Sequence, residues 1–189
     1  MDTSRHGPLA GKTLGIVGVG AIGSEIARRA RSFRMKVVGV KRNPLPMPEV
    51  NQIFGPDRLH EMLSLADFVV ILVPATPETY RMIGESELRA MKRTAYLVNI
   101  ARGTVLVESA LVRALQENWI AGAVLDVFEK EPLPGDSPLW TIENVLVTPH
   151  LSGNLRDYAN RVMAIFTENY QRWKAGNQLL NVVDLERGY

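Results

Sequence analysis

Residues able to bind ligands or transfer protons follow six short apolar segments of this 189-residue chain. The first group is the glycine motif G-x-G-x-x-G at positions 18–23, a spacing that lets the backbone approach phosphate groups closely. Guanidinium, carboxylate and imidazole groups follow the later segments, and these groups bind anions and perform general acid–base catalysis. The residues concerned are Gly18, Gly20, Gly23, Lys41, Arg42, Val73, Pro74, Arg102, Asp126, Glu131 and His150.

The elements that must position these residues are predicted from β-branched runs and helical periodicity. Strands are predicted at 13–17, 36–40, 68–72, 95–100, 120–125 and 145–147, and helices at 21–33, 57–65, 85–91, 108–117 and 155–175. Alternating strands and helices predict an α/β fold, a doubly wound parallel sheet (Rossmann) in the strand order 3-2-1-4-5-6. In such sheets ligands bind outside the carboxyl ends of the strands, so we expect one shared site.

Two further patterns concern the segments around this sheet. The proline-rich segments 43–56 and 128–144 are predicted to be loops. The last helix carries apolar side chains three or four residues apart, which predicts a single stripe buried in the core. The stripe consists of Leu155, Ala159, Val162, Phe166, Tyr170 and Trp173.

The composition excludes several classes of protein and site. Hydrophobic residues make up 46% of the chain, enough for one well-buried domain with an appendage. The chain has no cysteine, which excludes disulfides and thiolate chemistry, and no metal site is predicted. A net charge of +2 gives no indication of a nucleic-acid partner. The start is polar and the apolar run 68–73 is too short to cross a bilayer, so we expect no membrane partner and a cytoplasmic location.

The glycine motif predicts a dinucleotide site. Gly18 permits a tight turn, Gly20 permits close approach of a pyrophosphate, and Gly23 permits close packing of the helix on the sheet. The first residues of the helix, Ala21 and Ile22, would present N–H groups and the positive end of the helix dipole to the phosphates. A glycine turn without a ligand is the alternative interpretation.

The end of the second strand favours NADP over NAD. An NAD site carries an acid there, whereas this chain has Lys41, Arg42 and Asn43, and the next acid is Glu49. Lys41 and Arg42 would attract a 2′-phosphate that an acid would repel. We therefore predict NADP as cofactor, with NAD as the alternative, since exposed basic residues are also common at strand ends.

Five motifs together resemble the D-isomer-specific 2-hydroxyacid dehydrogenases, in their cofactor-binding domain. They are G-x-G-x-x-G, V-P-x-T-x-x-T at 73–79, N-I-A-R-G at 99–103, L-D-V-F-x-x-E-P at 125–132 and T-P-H at 148–150. The segment 137–140 and the closing residues 186–189 are similar to the glyoxylate/hydroxypyruvate reductases of this family. The resemblance implies a nicotinamide-dependent oxidoreductase that acts on a small 2-oxo or 2-hydroxy acid.

The resemblance also implies roles for individual residues. Arg102 would bind the substrate carboxylate, His150 would donate a proton to the keto oxygen, and Glu131 would keep His150 protonated and oriented. Asp126 would contact the nicotinamide carboxamide or its ribose, and Thr79 a phosphate or that ribose. Further cofactor contacts are implied at Val73, Pro74, Ile100 and Ala101, together with Arg102 and His150 themselves.

Full-length members of this family carry about another hundred residues that build most of a second, substrate-binding lobe. We therefore expect residues 1–8 to be a disordered or linker segment, 9–175 to be the cofactor domain, and 176–189 to be a tail that docks on the missing lobe. This implies a fragment or a naturally short form, with cofactor binding intact and turnover weak or absent.

Two other functions are weighed against this one. A nucleotide-sensing interaction module would bind NAD(P) without turnover, as corepressor-like relatives do. An L-lactate or malate type of dehydrogenase would need its histidine in a downstream substrate domain, which does not fit in the residues after His150. Relatives dimerise largely through their cofactor lobes, so the resemblance makes a homodimer plausible.

Overall fold

The computed structural model describes residues 7–186, and these residues form a seven-stranded parallel sheet in the order β3-β2-β1-β4-β5-β6-β7. The carboxyl ends of all the strands therefore lie along one edge of the sheet. This arrangement confirms the predicted doubly wound α/β fold. The strands are β1 (Thr13–Val17), β2 (Lys36–Val40), β3 (Gln52–Phe54), β4 (Phe68–Ile71), β5 (Tyr96–Asn99), β6 (Gly122–Leu125) and β7 (Val145–Val147).

The helices begin and end close to their predicted bounds. They are α1 (Ala21–Ser32), α2 (Leu59–Leu65), α3 (Glu85–Ala90), α4 (Glu108–Gln116) and α5 (Tyr158–Lys174). On one face of the sheet, apolar side chains of α2, α3 and α4 pack in one core with Val17, Phe54 and Ile71. On the other face, Ala27 and Ala30 of α1 pack against Ile16. The β1–α1 connection is thus held between two packed layers.

The predicted strand order assigns the wrong segment, 68–72, as its third strand. The sequence predicts a loop over residues 43–56, but Gln52–Phe54 forms β3, an edge strand paired with β2. The next segment along the chain, Phe68–Ile71, instead pairs with β1 and is the fourth strand. Three residues are too few to show a periodic pattern, and β3 is stabilised by its pairing and by full burial of Phe54.

The chain divides into two compact units, of which the first ends at His150 and the second begins at Leu151. The second unit contains α5, and the prediction of a buried stripe on this helix is wrong. None of its side chains is buried, and Phe166, Tyr170 and Trp173 are exposed. Helical periodicity identifies which side chains share a face, but it does not show what covers that face.

Parts of two predictions lie outside the described residues. The predicted linker over 1–8 is described only at Gly7 and Pro8, and the closing segment 186–189 only at Glu186. Within residues 7–186, no helix is both long and apolar enough to cross a membrane.

Candidate cofactor and active site

The loop between β1 and α1 leaves space for a ligand at one glycine. Gly18 has a φ of +102°, and a Cβ there would lie 2.9 Å from Val73. A Cβ on Gly23 would lie 2.8 Å from the Gly18 carbonyl oxygen, so close packing of α1 on the sheet requires glycine there. A Cβ on Gly20 would meet no atom within 4 Å. The protein's own packing therefore does not account for Gly20.

The first turn of α1 offers hydrogen-bond donors beside this space. Gly20 is the N-cap, and its carbonyl accepts from Ser24 N–H at 2.9 Å. The N–H groups of Ala21 and Ile22 precede that bond, so they have no partner within the helix. The first turn carries no acidic residue. An open backbone with unpaired N–H groups and a positive helix dipole fits the pyrophosphate of a dinucleotide.

We expect Gly20→Ala to weaken binding of NADPH and NADH while leaving the fold intact. The added Cβ would occupy space that the protein leaves open, so we expect a loss of roughly tenfold or more, about 1.4 kcal/mol. Nucleotide titration by fluorescence and urea unfolding would measure the two effects. Gly135→Ala is the control, because a Cβ there also meets nothing within 4 Å. Unchanged affinity in Gly20→Ala would contradict the assignment.

The basic residues after β2 lie beside the glycine loop, as the sequence predicts. The N–H groups of Gly18 and Val19 both donate to the carbonyl of Val40, the last residue of β2, at 3.0 and 3.2 Å. Lys41 is half-buried, and its Nζ lies 3.7 Å from the Met47 sulfur. Arg42 and Asn43 are exposed. The adenosine end of a dinucleotide bound at the loop would therefore meet a positively charged strand end.

The Thr79 hydroxyl forms hydrogen bonds within the loop after β4 and stabilises its fold. It donates to the Pro74 carbonyl at 2.5 Å and accepts from Thr76 N–H at 2.9 Å. A threonine hydroxyl has one proton, and here that proton is directed inward, so a contact with the cofactor would use a remaining lone pair. Val73 and Pro74 are half-buried at the start of this loop. The predicted cofactor contacts of these residues stay predictions.

Asn99 organises the loop that carries Arg102. Its side chain is fully buried, accepts from Ala101 N–H at 3.1 Å and donates to the Arg102 carbonyl at 3.2 Å. The exposed guanidinium of Arg102 donates through Nη1 to the Ala101 carbonyl at 2.6 Å, which leaves its other N–H groups available. The sequence motifs give no role to Asn99. A polar residue that ends an apolar strand is the signal that points to it.

Asp126 is buried and held by the segment that follows β7. Its exposed fraction is 2%, and Oδ1 accepts from the Thr148 hydroxyl at 2.5 Å. Its carbonyl accepts from His150 N–H at 2.9 Å. Asp126 thus fixes the backbone of His150, whose φ of +52° is uncommon for a residue other than glycine. The predicted contact of Asp126 with a nicotinamide stays a prediction.

Glu131 and His150 form a hydrogen-bonded pair that joins the loops after β6 and β7. His150 Nδ1 lies 2.8 Å from Glu131 Oε2, and Glu131 Oε1 accepts from Phe128 N–H at 3.1 Å. The hydrogen bond from His150 lowers the pKa of Glu131, and the charges of His150 and Arg102 act in the same direction. Pairing at Nδ1 fixes the ring and leaves Nε2 for a second partner.

We expect the lowered pKa of Glu131 to make the stability of the protein more sensitive to acid. A carboxyl whose pKa is depressed in the folded state contributes stability above its unfolded pKa, about 4.5, and loses it as the pH falls through the folded value. Urea unfolding below about pH 5 should therefore show a steeper loss in the wild type than in Glu131→Gln. Asp136→Asn, in the same loop, is the control and should follow the wild type.

The structure brings together the three residues that the sequence pattern selects as catalytic. Glu131 pairs with His150, and Arg102 lies close enough to Glu131 to lower its pKa. The loops that carry them are in direct contact, since a Cβ on Gly103 would lie 1.9 Å from the Phe128 carbonyl. The arrangement places an imidazole, a carboxylate and a guanidinium at the same edge as the glycine loop, and groups of these types can transfer protons and bind anions.

A second acid in the loop after β6, Glu129, joins this loop to α4. Glu129 Oε1 accepts from the N–H of Glu108, and Glu108 Oε2 accepts from the N–H of Glu129, both at 3.2 Å. This reciprocal pair connects the Glu131 loop to the start of α4. No pattern within either segment predicts it, because the two residues are distant along the chain.

Residues 2–152 match the family model for the D-isomer specific 2-hydroxyacid dehydrogenase, NAD binding domain. A glyoxylate reductase of Korarchaeum cryptofilum is 45% identical over 179 residues, which cover 93% of this chain and 53% of the relative. A glyoxylate reductase of Thermococcus gammatolerans is 51% identical over 143 residues, or 42% of its length. The chain thus spans about half the length of these curated relatives.

Solved structures of the same family are also similar to this chain. The D-isomer specific 2-hydroxyacid dehydrogenase of Xanthobacter autotrophicus Py2, in complex with NADPH and MES, is 38% identical with a TM-score of 0.88, over 94% of this chain and 73% of that one. The NADPH-dependent glyoxylate/hydroxypyruvate reductase of Sinorhizobium meliloti, with NADP and sulfate, is 31% identical with a TM-score of 0.88, over 94% and 57%.

Proposed function

Because this chain belongs to the D-isomer specific 2-hydroxyacid dehydrogenases, we propose that it forms the cofactor-binding half of an NADPH-favouring reductase of small 2-oxo acids, such as glyoxylate or hydroxypyruvate. The observation that carries this proposal is the 2.8 Å pair of His150 and Glu131, beside the Arg102 loop and at the edge that holds the glycine motif. A nucleotide fold alone supports many functions, whereas a proton donor at this edge supports a particular type of reaction.

The residues of this chain would each perform one task in the reduction. A bound reduced nicotinamide supplies the hydride for the carbonyl carbon. Arg102 would bind the substrate carboxylate with the N–H groups that do not bond Ala101. His150 would donate a proton from Nε2 to the carbonyl oxygen, and Glu131 would stabilise the protonated ring through Nδ1. In the reverse direction His150 would accept that proton.

Two findings support NADPH as the favoured cofactor. Lys41 and Arg42 follow β2, where an NAD site carries an acid, and both lie next to the glycine loop. The related structures from Xanthobacter and Sinorhizobium contain NADPH and NADP. A 2′-phosphate carries up to two negative charges and can form charge-assisted hydrogen bonds with Arg42.

The test measures nucleotide binding and turnover separately. We expect the chain to bind NADPH more tightly than NADH, and tighter NADH binding would contradict the cofactor preference. We expect glyoxylate-dependent NADPH oxidation only when the chain is joined to the amino-terminal half of a relative, which closes the site against water. Nucleotide binding without turnover in that chimera would instead favour the alternative, a sensing module.

A further inference from the structure

The acid that would bind the ribose of NADH is absent from the end of β2, but the fold places another acid nearby. Lys41, Arg42 and Asn43 occupy the position where NAD sites carry Asp or Glu. Glu78 lies in the loop after β4, 36 residues beyond Arg42 along the chain. The two residues are remote in sequence, and their proximity is a consequence of strand order.

Strand order places the two loops around the same glycine turn. β1 lies between β2 and β4 in the sheet. Gly18 N–H donates to Val40 of β2 at 3.0 Å, and a Cβ on Gly18 would lie 2.9 Å from Val73, where the loop after β4 begins. The loops that carry Arg42 and Glu78 therefore leave the sheet on opposite sides of the pyrophosphate position.

Glu78 lies in the loop after β4, which folds back on itself. Thr79 bonds back to Pro74 and Thr76, which makes residues 74–79 a compact turn. Glu78 is exposed, and the Thr76 hydroxyl is the main cause of its lowered pKa. The positive charge of Arg42 lowers the pKa of Glu78 in the same direction, as expected for charges on two loops beside the same glycine turn.

We propose that Glu78, although remote along the chain, takes the place of the acid that the end of β2 lacks. It would thereby set the relative affinity of the site for NADPH and NADH. Arg42 binds a 2′-phosphate, while Glu78 repels that phosphate, competes for Arg42 and can accept a hydrogen bond from a ribose 2′-OH. This inference rests on the proposed function and deepens it, because it assigns a specificity-determining residue to the same cofactor site. The chain accordingly discriminates between the two cofactors less than its basic strand end implies.

Glu78→Gln tests this proposal directly. The 2′-phosphate carries up to two negative charges, so removing one nearby negative charge should tighten NADPH binding about fivefold, even with screening by water. The affinity for NADH should stay equal or become weaker. Dissociation constants for both nucleotides are measured by fluorescence titration of the full chain at low and high salt. Screening should reduce the shift at high salt, which a change in folding alone would not produce.

Glu143→Gln is the matched control. Glu143 is an exposed acid just before β7, at the amino-terminal edge of the sheet. Its replacement by glutamine therefore removes the same charge far from the site. The proposal is overturned if Glu78→Gln changes the NADH/NADPH ratio less than twofold, if Glu143→Gln changes it equally, or if the shift persists at high salt. A wild-type chain that binds neither nucleotide would overturn the proposed function itself, which is a different outcome.

Discussion

In the chimera with the amino-terminal half of a relative, replacing His150 with asparagine is expected to reduce kcat for 2-oxo acid reduction by about 10²–10⁴-fold, the usual contribution of a general acid. Asparagine tolerates the positive φ of this position, so the backbone should be retained. It cannot donate the proton that the carbonyl oxygen requires. Steady-state rates at saturating NADPH measure the loss in turnover, and NADPH titration measures cofactor binding separately.

His60→Asn is the matched control for this prediction. The chain contains a second histidine–glutamate pair, in which His60 Nε2 lies 2.8 Å from Glu87 Oε1 between α2 and α3. This pair matches the His150–Glu131 pair in distance, and both histidines are about half exposed, but it joins α2 to α3 and not the loops after β6 and β7. We expect His60→Asn to leave kcat unchanged. Equal losses in both variants, or full activity in His150→Asn, would contradict the assigned role.

Gly103→Ala is expected to have the largest effect on stability. Its Cβ would lie 1.9 Å from the Phe128 carbonyl carbon and oxygen and 2.5 Å from Glu129 N, all backbone atoms that cannot rotate away. This steric overlap can be relieved only if the loops after β5 and β6 move apart. We expect a loss of about 3 kcal/mol or more in the free energy of unfolding, measured by urea denaturation.

The same substitution should also separate Arg102 from Glu131, because Gly103 directly follows Arg102. The pKa of Glu131 should then rise, since Arg102 is one of the charges that lower it. Carboxyl NMR titration of the folded fraction would detect this change. Gly135→Ala, which meets no atom within 4 Å, should change stability by less than about 1 kcal/mol. If Gly103→Ala were as stable as Gly135→Ala, the close contact of the two loops would be wrong.

The fold class and the residues of the site follow from the sequence because their signals are local. Each apolar strand is a short run of neighbours, and each site residue stands a few positions beyond such a run. Once the strands are known to be parallel, their carboxyl ends must share one edge, which brings the Arg102, Glu131 and His150 segments together. The distances between these side chains are a result of the structure, and their catalytic roles stay predictions.

Features that depend on pairing between distant segments were decided only by the tertiary structure. β3 forms because it pairs with the edge of β2, and the loops that carry Arg42 and Glu78 flank the glycine turn because β1 lies between β2 and β4. The stripe on α5 has the same periodicity as a buried helix, yet none of its side chains is buried. A chain determines locally which groups it carries and where its strands end, whereas long-range packing determines which groups meet, because that depends on contacts that no short segment contains.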